Sequence, residues 1–287
     1  MFKGFETKRI QTSGTEIFLR MGGSGPPLLL LHGYPQTHVI WHKIAPALAA
    51  RFTLVMPDLR GYGDSGKPET DAQHRPYSKR EMALDMVEVM AALGFDRFAL
   101  VGHDRGARVA HRLARDHAAC VARLAVLDIA PTLHMYDNTD MKFASAYYHW
   151  FFLIQPQGLP EHMIGENPAY YLKTKLGAWG KTGGAITPEA HAEYLRCFQN
   201  PDTIHASCED YRASATIDLE HDRGETEKLA MPLLALWGAA GFVGSAYDVL
   251  ATWQEVAEDV RGHAVSGGHY LPEEAPEEVL HALLDFL

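Results

Sequence analysis

The sequence predicts an α/β protein: a mostly parallel eight-stranded sheet flanked by helices, with a helical insertion after the sixth strand. Short uninterrupted apolar runs recur along the chain, as strands buried on both faces read, and helix-spaced segments alternate with them. That alternation stops over residues 132–225 and resumes afterwards, which marks an insertion into one sheet rather than a second sheet domain.

Taken in order, residues 5–10 and 15–21 read as strands around Thr12-Ser13-Gly14, a hairpin turn. Pro27-Leu28-Leu29-Leu30-Leu31 is a buried strand ending in His32-Gly33. Ile40 to Ala50 has helical spacing, Thr53–Met56 is the next strand, and Pro57 to Ser65 is a glycine-rich loop. Lys79 to Leu93 reads as a helix stopped at Gly94. Phe98-Ala99-Leu100 leads into Val101-Gly102 and a helix running to His117, and Leu124–Leu127 delivers Asp128 at a strand end. Residues 132–225 are rich in aromatics and histidine, with helical pieces at 142–154 and 188–199. The strands resume at Pro232–Gly238, followed by a helix near 247–258, a strand near 260–265 and a final helix from Pro276 to Leu287. The expected organisation is a core of residues 1–131 and 226–287, with a helical cap of 132–225 over the C-terminal edge of the sheet, where open α/β folds place their sites.

Composition removes several function classes. With 287 residues, 47% of them hydrophobic, the chain can bury a full core. A net charge of −10 argues against nucleic acid or a membrane surface as partner, though a local cationic cluster can still hold a small anion. Cys120, Cys197 and Cys208 are odd in number and widely spaced, so they read as reduced thiols of a cytoplasmic protein, with no metal site. The N-terminal stretch resembles no signal peptide, no run is long enough to span a bilayer, and no dinucleotide fingerprint or other cofactor motif is present.

The chain is organised around Gly102-His103-Asp104-Arg105-Gly106. Strand, glycine-flanked turn and helix make the G-x-nucleophile-x-G elbow of the α/β hydrolases. Asp104 stands where serine is usual. A carboxylate displaces a leaving group from sp³ carbon and leaves an ester on the enzyme, which water must then cleave at the aspartyl carbonyl. That second step needs a base, and His269 in Ser266-Gly267-Gly268-His269-Tyr270 follows the last strand, where this fold supplies it. A carboxylate must hold its imidazole. The loop Trp237–Gly244 contains no acid, so Asp128 is the candidate. The oxyanion hole is expected from the backbone N–H groups of Tyr34, in His32-Gly33-Tyr34-Pro35, and of Arg105.

Arg105 and Arg108 lie three apart in the first turn of the elbow helix, where cations are locally unfavourable. Their expected role is a bidentate grip on a substrate carboxylate, together with lowering the pKa of Asp104. Arg112 and Arg115 read as ordinary surface arginines.

Gly102–Arg108, His32-Gly33-Tyr34-Pro35-Gln36-Thr37 and Tyr147-Tyr148-His149-Trp150-Phe151-Phe152 together resemble the fluoroacetate (haloacetate) dehalogenases, over essentially the whole chain. The resemblance implies Asp104 as nucleophile, His269 as base, Asp128 as its partner, and Arg105 and Arg108 on the carboxylate. It implies His149, Trp150 and Tyr211 as halide ligands, Trp179 in the pocket, a small anionic organohalide as substrate, and a homodimer. Tyr34 departs from the phenylalanine frequent at that position. The halide set also makes sense chemically, because fluoride leaves carbon reluctantly and needs several donors in a dry site.

The main rival is an epoxide hydrolase, with the same nucleophile and with Tyr211 and Tyr147 or Tyr148 protonating the opening ring; against it stand the two arginines and His149-Trp150. An esterase would pass through an anhydride. A ligand receptor would not need an intact Asp-His-Asp set.

Overall fold

The computed structural model describes residues 1–287. Its single sheet contains β1 (Glu6–Gln11), β2 (Glu16–Gly23), β3 (Pro27–Leu31), β4 (Thr53–Pro57), β5 (Phe98–His103), β6 (Val121–Leu127), β7 (Leu233–Gly238) and β8 (Val260–Val265). The order across the sheet is β1-β2-β4-β3-β5-β6-β7-β8, and β2 alone runs against the rest.

The apolar runs explain the layering. Leu28–Leu31 and Leu124–Leu127 are wholly buried, because helices cover both faces of the parallel strands and no side chain along them meets water. The helix Lys79–Ala92 opens on Ser78, whose hydroxyl accepts the Glu81 N–H. It packs beside the elbow helix Arg105–Asp116. The segment expected to be a helix from Ile40 to Ala50 is instead a 3₁₀ turn, His38–Trp41, and one α turn, Ala45–Leu48. Pro46 supplies the reason, since it has no N–H to continue an incoming helix.

Between β6 and β7 the chain forms eight helices, from Thr132 to Arg223, and no strand. The helical piece expected at 142–154 is broken at Tyr147 (φ −109°, ψ 32°) into Met141–Ala146 and Tyr148–Phe152. No helix is long and apolar enough to cross a membrane. The parallel strands β3, β5, β6 and β8 end on the same edge, and Tyr34, Asp104, Asp128 and His269 follow them there.

Candidate active site

Local backbone geometry places the nucleophile candidate. Asp104 has φ 48° and ψ −117°, a strained conformation for a residue with a Cβ. The turn survives because its neighbours are glycines. A Cβ on Gly106 would lie 2.2 Å from the His32 carbonyl oxygen, and one on Gly102 would lie 2.5 Å from the Ala107 Cα. The strain lifts the Asp104 carboxylate out of the strand line and over the edge of the sheet.

Two contacts orient that carboxylate. Oδ1 accepts the Tyr34 backbone N–H at 2.8 Å, from the turn after β3, where the Tyr34–Pro35 peptide is cis. Oδ2 lies 3.6 Å from His269 Nε2, and that nitrogen has no hydrogen-bond partner. The Arg105 N–H begins its helix and so has no acceptor within it. His269 Nδ1 donates to Asp128 Oδ2 at 2.6 Å, which fixes the tautomer and leaves Nε2 toward Asp104. Asp128, itself at φ 53°, is held by the Gly238 N–H on Oδ1 at 3.0 Å. The backbone of His269 is pinned as well: its carbonyl accepts from His103 Nε2, and its N–H donates to the Trp179 carbonyl.

The charges are mutually supporting. Burial alone would raise Asp104, but the facing His269 imidazole, helped by the charges of His103 and Arg105, holds it well below the usual carboxylate range. Burial alone would lower His269, but Asp104 and Asp128 raise it to about 10. The expected lowering of Asp104 by an arginine comes from Arg105, behind the larger effects of His269 and His103.

The two arginines also divide. Arg105 is fully buried and committed to Asp210, with Nε on Oδ2 at 2.9 Å, Nη2 on Oδ1 at 2.8 Å, and a further bond to Ser214 Oγ at 2.5 Å. Its guanidinium lies 4.1 Å over the Tyr211 ring, and Nη1 alone is left without a partner. Asp210 also accepts from Tyr62 and Lys79, so the helix Pro201–Ala215 is locked onto the core by a buried ionic knot. Arg108 has no carboxylate of its own. It donates to Thr132 Oγ1 and the Ala130 carbonyl, and its guanidinium lies 4.7 Å over the Trp150 ring. Arg112, expected at the surface, is buried among Asp116, Asp222 and Glu225.

Three donors expected on the halide are buried and unsatisfied. His149 Nδ1, Trp150 Nε1 and Tyr211 OH have no partners, and the Tyr211 ring centroid lies 5.5 Å from His149 and 6.5 Å from Trp150. The break at Tyr147 lets the adjacent His149 and Trp150 both turn inward. Burial and the Lys175 charge keep His149 neutral, and burial keeps the Tyr211 phenol protonated, so each retains a proton to donate. Unsatisfied buried polar groups cost stability, and three together indicate a site shaped for a ligand. Trp179 packs against this group at an angle, its ring centroid 4.4 Å from that of His149 and 5.4 Å from that of His269. A cavity of about 440 Å³ leads from outside to His269 and Asp128 past Tyr148, Lys175 and Trp179. The sequence reading passed over Asp210 and Lys175. The one available signal for Lys175 was its spacing, four residues from Tyr171 and four from Trp179 on one helix face.

Elbow, sheet order and site together define an α/β hydrolase with an aspartate at the nucleophile position. The family model described as alpha/beta hydrolase fold matches residues 26–276. A fluoroacetate dehalogenase from Burkholderia sp is 44% identical across all of this chain and 95% of its own length. A soluble epoxide hydrolase from Corynebacterium sp. (strain C12) is 38% identical over 92% of this chain and 91% of its own. The crystal structure of ALR0039, described as an α/β hydrolase from Nostoc sp PCC 7120, superposes with a TM-score of 0.99 at 60% identity, covering 100% of this chain and 99% of that one. The chain belongs to the haloacetate dehalogenase family of the α/β-hydrolase fold.

Proposed function

We propose that the protein hydrolyses a haloacetate, fluoroacetate or chloroacetate, to glycolate and halide. The observation that carries this reading is the pairing of an uncompensated buried guanidinium, Arg108, with three unsatisfied buried donors beside one aspartate. A small molecule with a carboxylate at one end and a halogen at the other satisfies both.

The substrate carboxylate binds Arg108, with Arg105 Nη1 adding a single donor. Asp104 Oδ2, the oxygen not held by Tyr34, attacks the halogen-bearing carbon in line; the C–halogen electron pair leaves with the halide toward His149, Trp150 and Tyr211. The product is a neutral ester on Asp104. That neutralisation removes one of the two carboxylates that raise His269. The imidazolium then sheds its proton and becomes the base for water, while Asp128 continues to hold it. Hydroxide adds to the aspartyl carbonyl, and the oxyanion forms on Oδ1, where the Tyr34 and Arg105 N–H groups stabilise it. Collapse breaks the Cγ–Oδ2 bond, the departing alkoxide takes the proton of the newly added hydroxyl and leaves as glycolate, and the Asp104 carboxylate and the His269 imidazolium, which holds the water proton, are restored.

The unsatisfied Tyr211 phenol near Asp104, and the 38% identical epoxide hydrolase, favour epoxide opening as the second reading. An uncharged epoxide leaves Arg108 without a counter-charge. Halide release, followed with ion-selective electrodes on fluoroacetate and chloroacetate beside styrene oxide turnover, tests the choice. Halide with glycolate supports the dehalogenase; diol formation without halide supports the epoxide hydrolase.

A further inference from the structure

Outside the site itself, one ionic side chain lacks any account. Lys175, on the helix Pro168–Trp179, is 2% exposed, yet no carboxylate neighbours it, and burial is the sole cause lowering its pKa to about 7. Aromatic rings hold it instead. Its Nζ lies 3.6 Å from the Tyr148 ring centroid, 5.0 Å from Trp179 and 5.6 Å from Tyr171. Ring faces stabilise an ammonium by less than the hydration it has given up. The charge is therefore left short of a partner.

The cavity around it is built for an anion. Lys175 and Lys181 both line it, and its one carboxylate, Asp128, is already bonded to His269. Lys181 is turned aside, its Nζ on the Ala178 carbonyl, so Lys175 supplies the inward positive charge. On a chain of net charge −10 that is a local reversal of sign at the mouth of the site. Trp179 touches both ends of the path: it is a wall of the Lys175 cage and packs against His149 and His269.

We infer that Lys175 is the entrance station for the substrate anion, capturing a small carboxylate between Tyr148 and Trp179 before Arg108 receives it. Lys175 takes no part in bond breaking; it selects anions and speeds their arrival. The inference rests on the haloacetate reading and adds a second, outer carboxylate subsite to it.

The test compares wild type, Lys175→Met and Lys175→Arg. Chloride release from chloroacetate gives kcat and KM, and calorimetric titration with acetate, which carries no halogen, gives carboxylate binding without turnover. Lys175→Met should raise KM and weaken acetate binding roughly tenfold with kcat within about twofold, and Lys175→Arg should restore both. Unchanged KM and acetate affinity in Lys175→Met, or a fall in kcat alone, overturns the entrance station while leaving the dehalogenase reading intact. Wild type that neither binds acetate nor releases chloride overturns the dehalogenase reading, and the entrance station with it.

Discussion

Arg105 and Asp210 face each other in two near-parallel N–H···O bonds of 2.9 and 2.8 Å, both side chains wholly buried. The pair joins the elbow helix to the helix carrying Tyr211, so the arginine next to Asp104 acts first as a structural clamp between core and insertion. Breaking one side of such a pair leaves an unpaired buried charge and costs about 3–5 kcal/mol. Asp210→Asn should lower the melting temperature markedly. Arg108→Met should keep the fold, because it removes an uncompensated charge, and should raise KM for chloroacetate by roughly tenfold or more. Thermal melts and steady-state kinetics on the two variants separate these effects. Equal loss of stability in both would contradict the division of roles.

Tyr211→Phe removes a hydroxyl that is buried and has no partner. Its stability should be unchanged or higher, since an unsatisfied buried polar group is lost. Halide release should slow by about 10²–10³, and more for fluoroacetate than chloroacetate, because fluoride depends most on its donors. Single-turnover halide bursts with both substrates check this. A variant that is destabilised and equally active would remove Tyr211 from the halide site.

The Asp104–His269 pair makes a signed prediction about pH and stability. Asp104 is depressed, so its contribution is present above its ordinary value of 3.8 and is lost as pH falls through the folded value. His269 is raised, so its contribution is complete below 6.5 and is lost as pH rises from 6.5 through about 10. Melting temperature should therefore fall over that upper interval, and His269→Asn should flatten the fall. A wild-type melting curve unaffected by pH between 7 and 10 would contradict the coupling.

Glu273, which is outside the Asp104–His269–Asp128 set, offers a control. Burial raises its carboxyl from 4.5 to about 8 against the hydrogen bond that Gln36 donates to Oε2, and Oε1 has no partner. The unfolded chain ionises near 4.5, so this group withdraws stability as pH climbs from there to about 8. Glu273→Gln should melt higher than wild type at pH 8, by about 2 °C or more, and not at pH 4. Differential scanning calorimetry at the two pH values checks it.

The fold was legible because its signals are local. Leu28–Leu31 and the glycines around Asp104 each state their environment in a few residues. The positions of Asp104, His269 and Asp128 follow from strand ends, which the same signals locate. What escaped depends on pairs far apart in sequence. Arg105 meets Asp210 across 105 positions, and no spacing rule reveals that an arginine in the elbow is already spoken for. Lys175 escaped for the related reason that a buried unpaired lysine looks, in sequence, like a surface one. The break at Tyr147 depends on tertiary packing overriding a helical pattern.

A covalent ester on Asp104 is what the proposed chemistry requires, and the intact mass of His269→Asn after chloroacetate reads it out. One stoichiometric chloride burst and a carboxymethyl increment that peptide mapping places on Asp104, with no further turnover, is the expected result. Unmodified protein without a burst, or an increment on another residue, would contradict it.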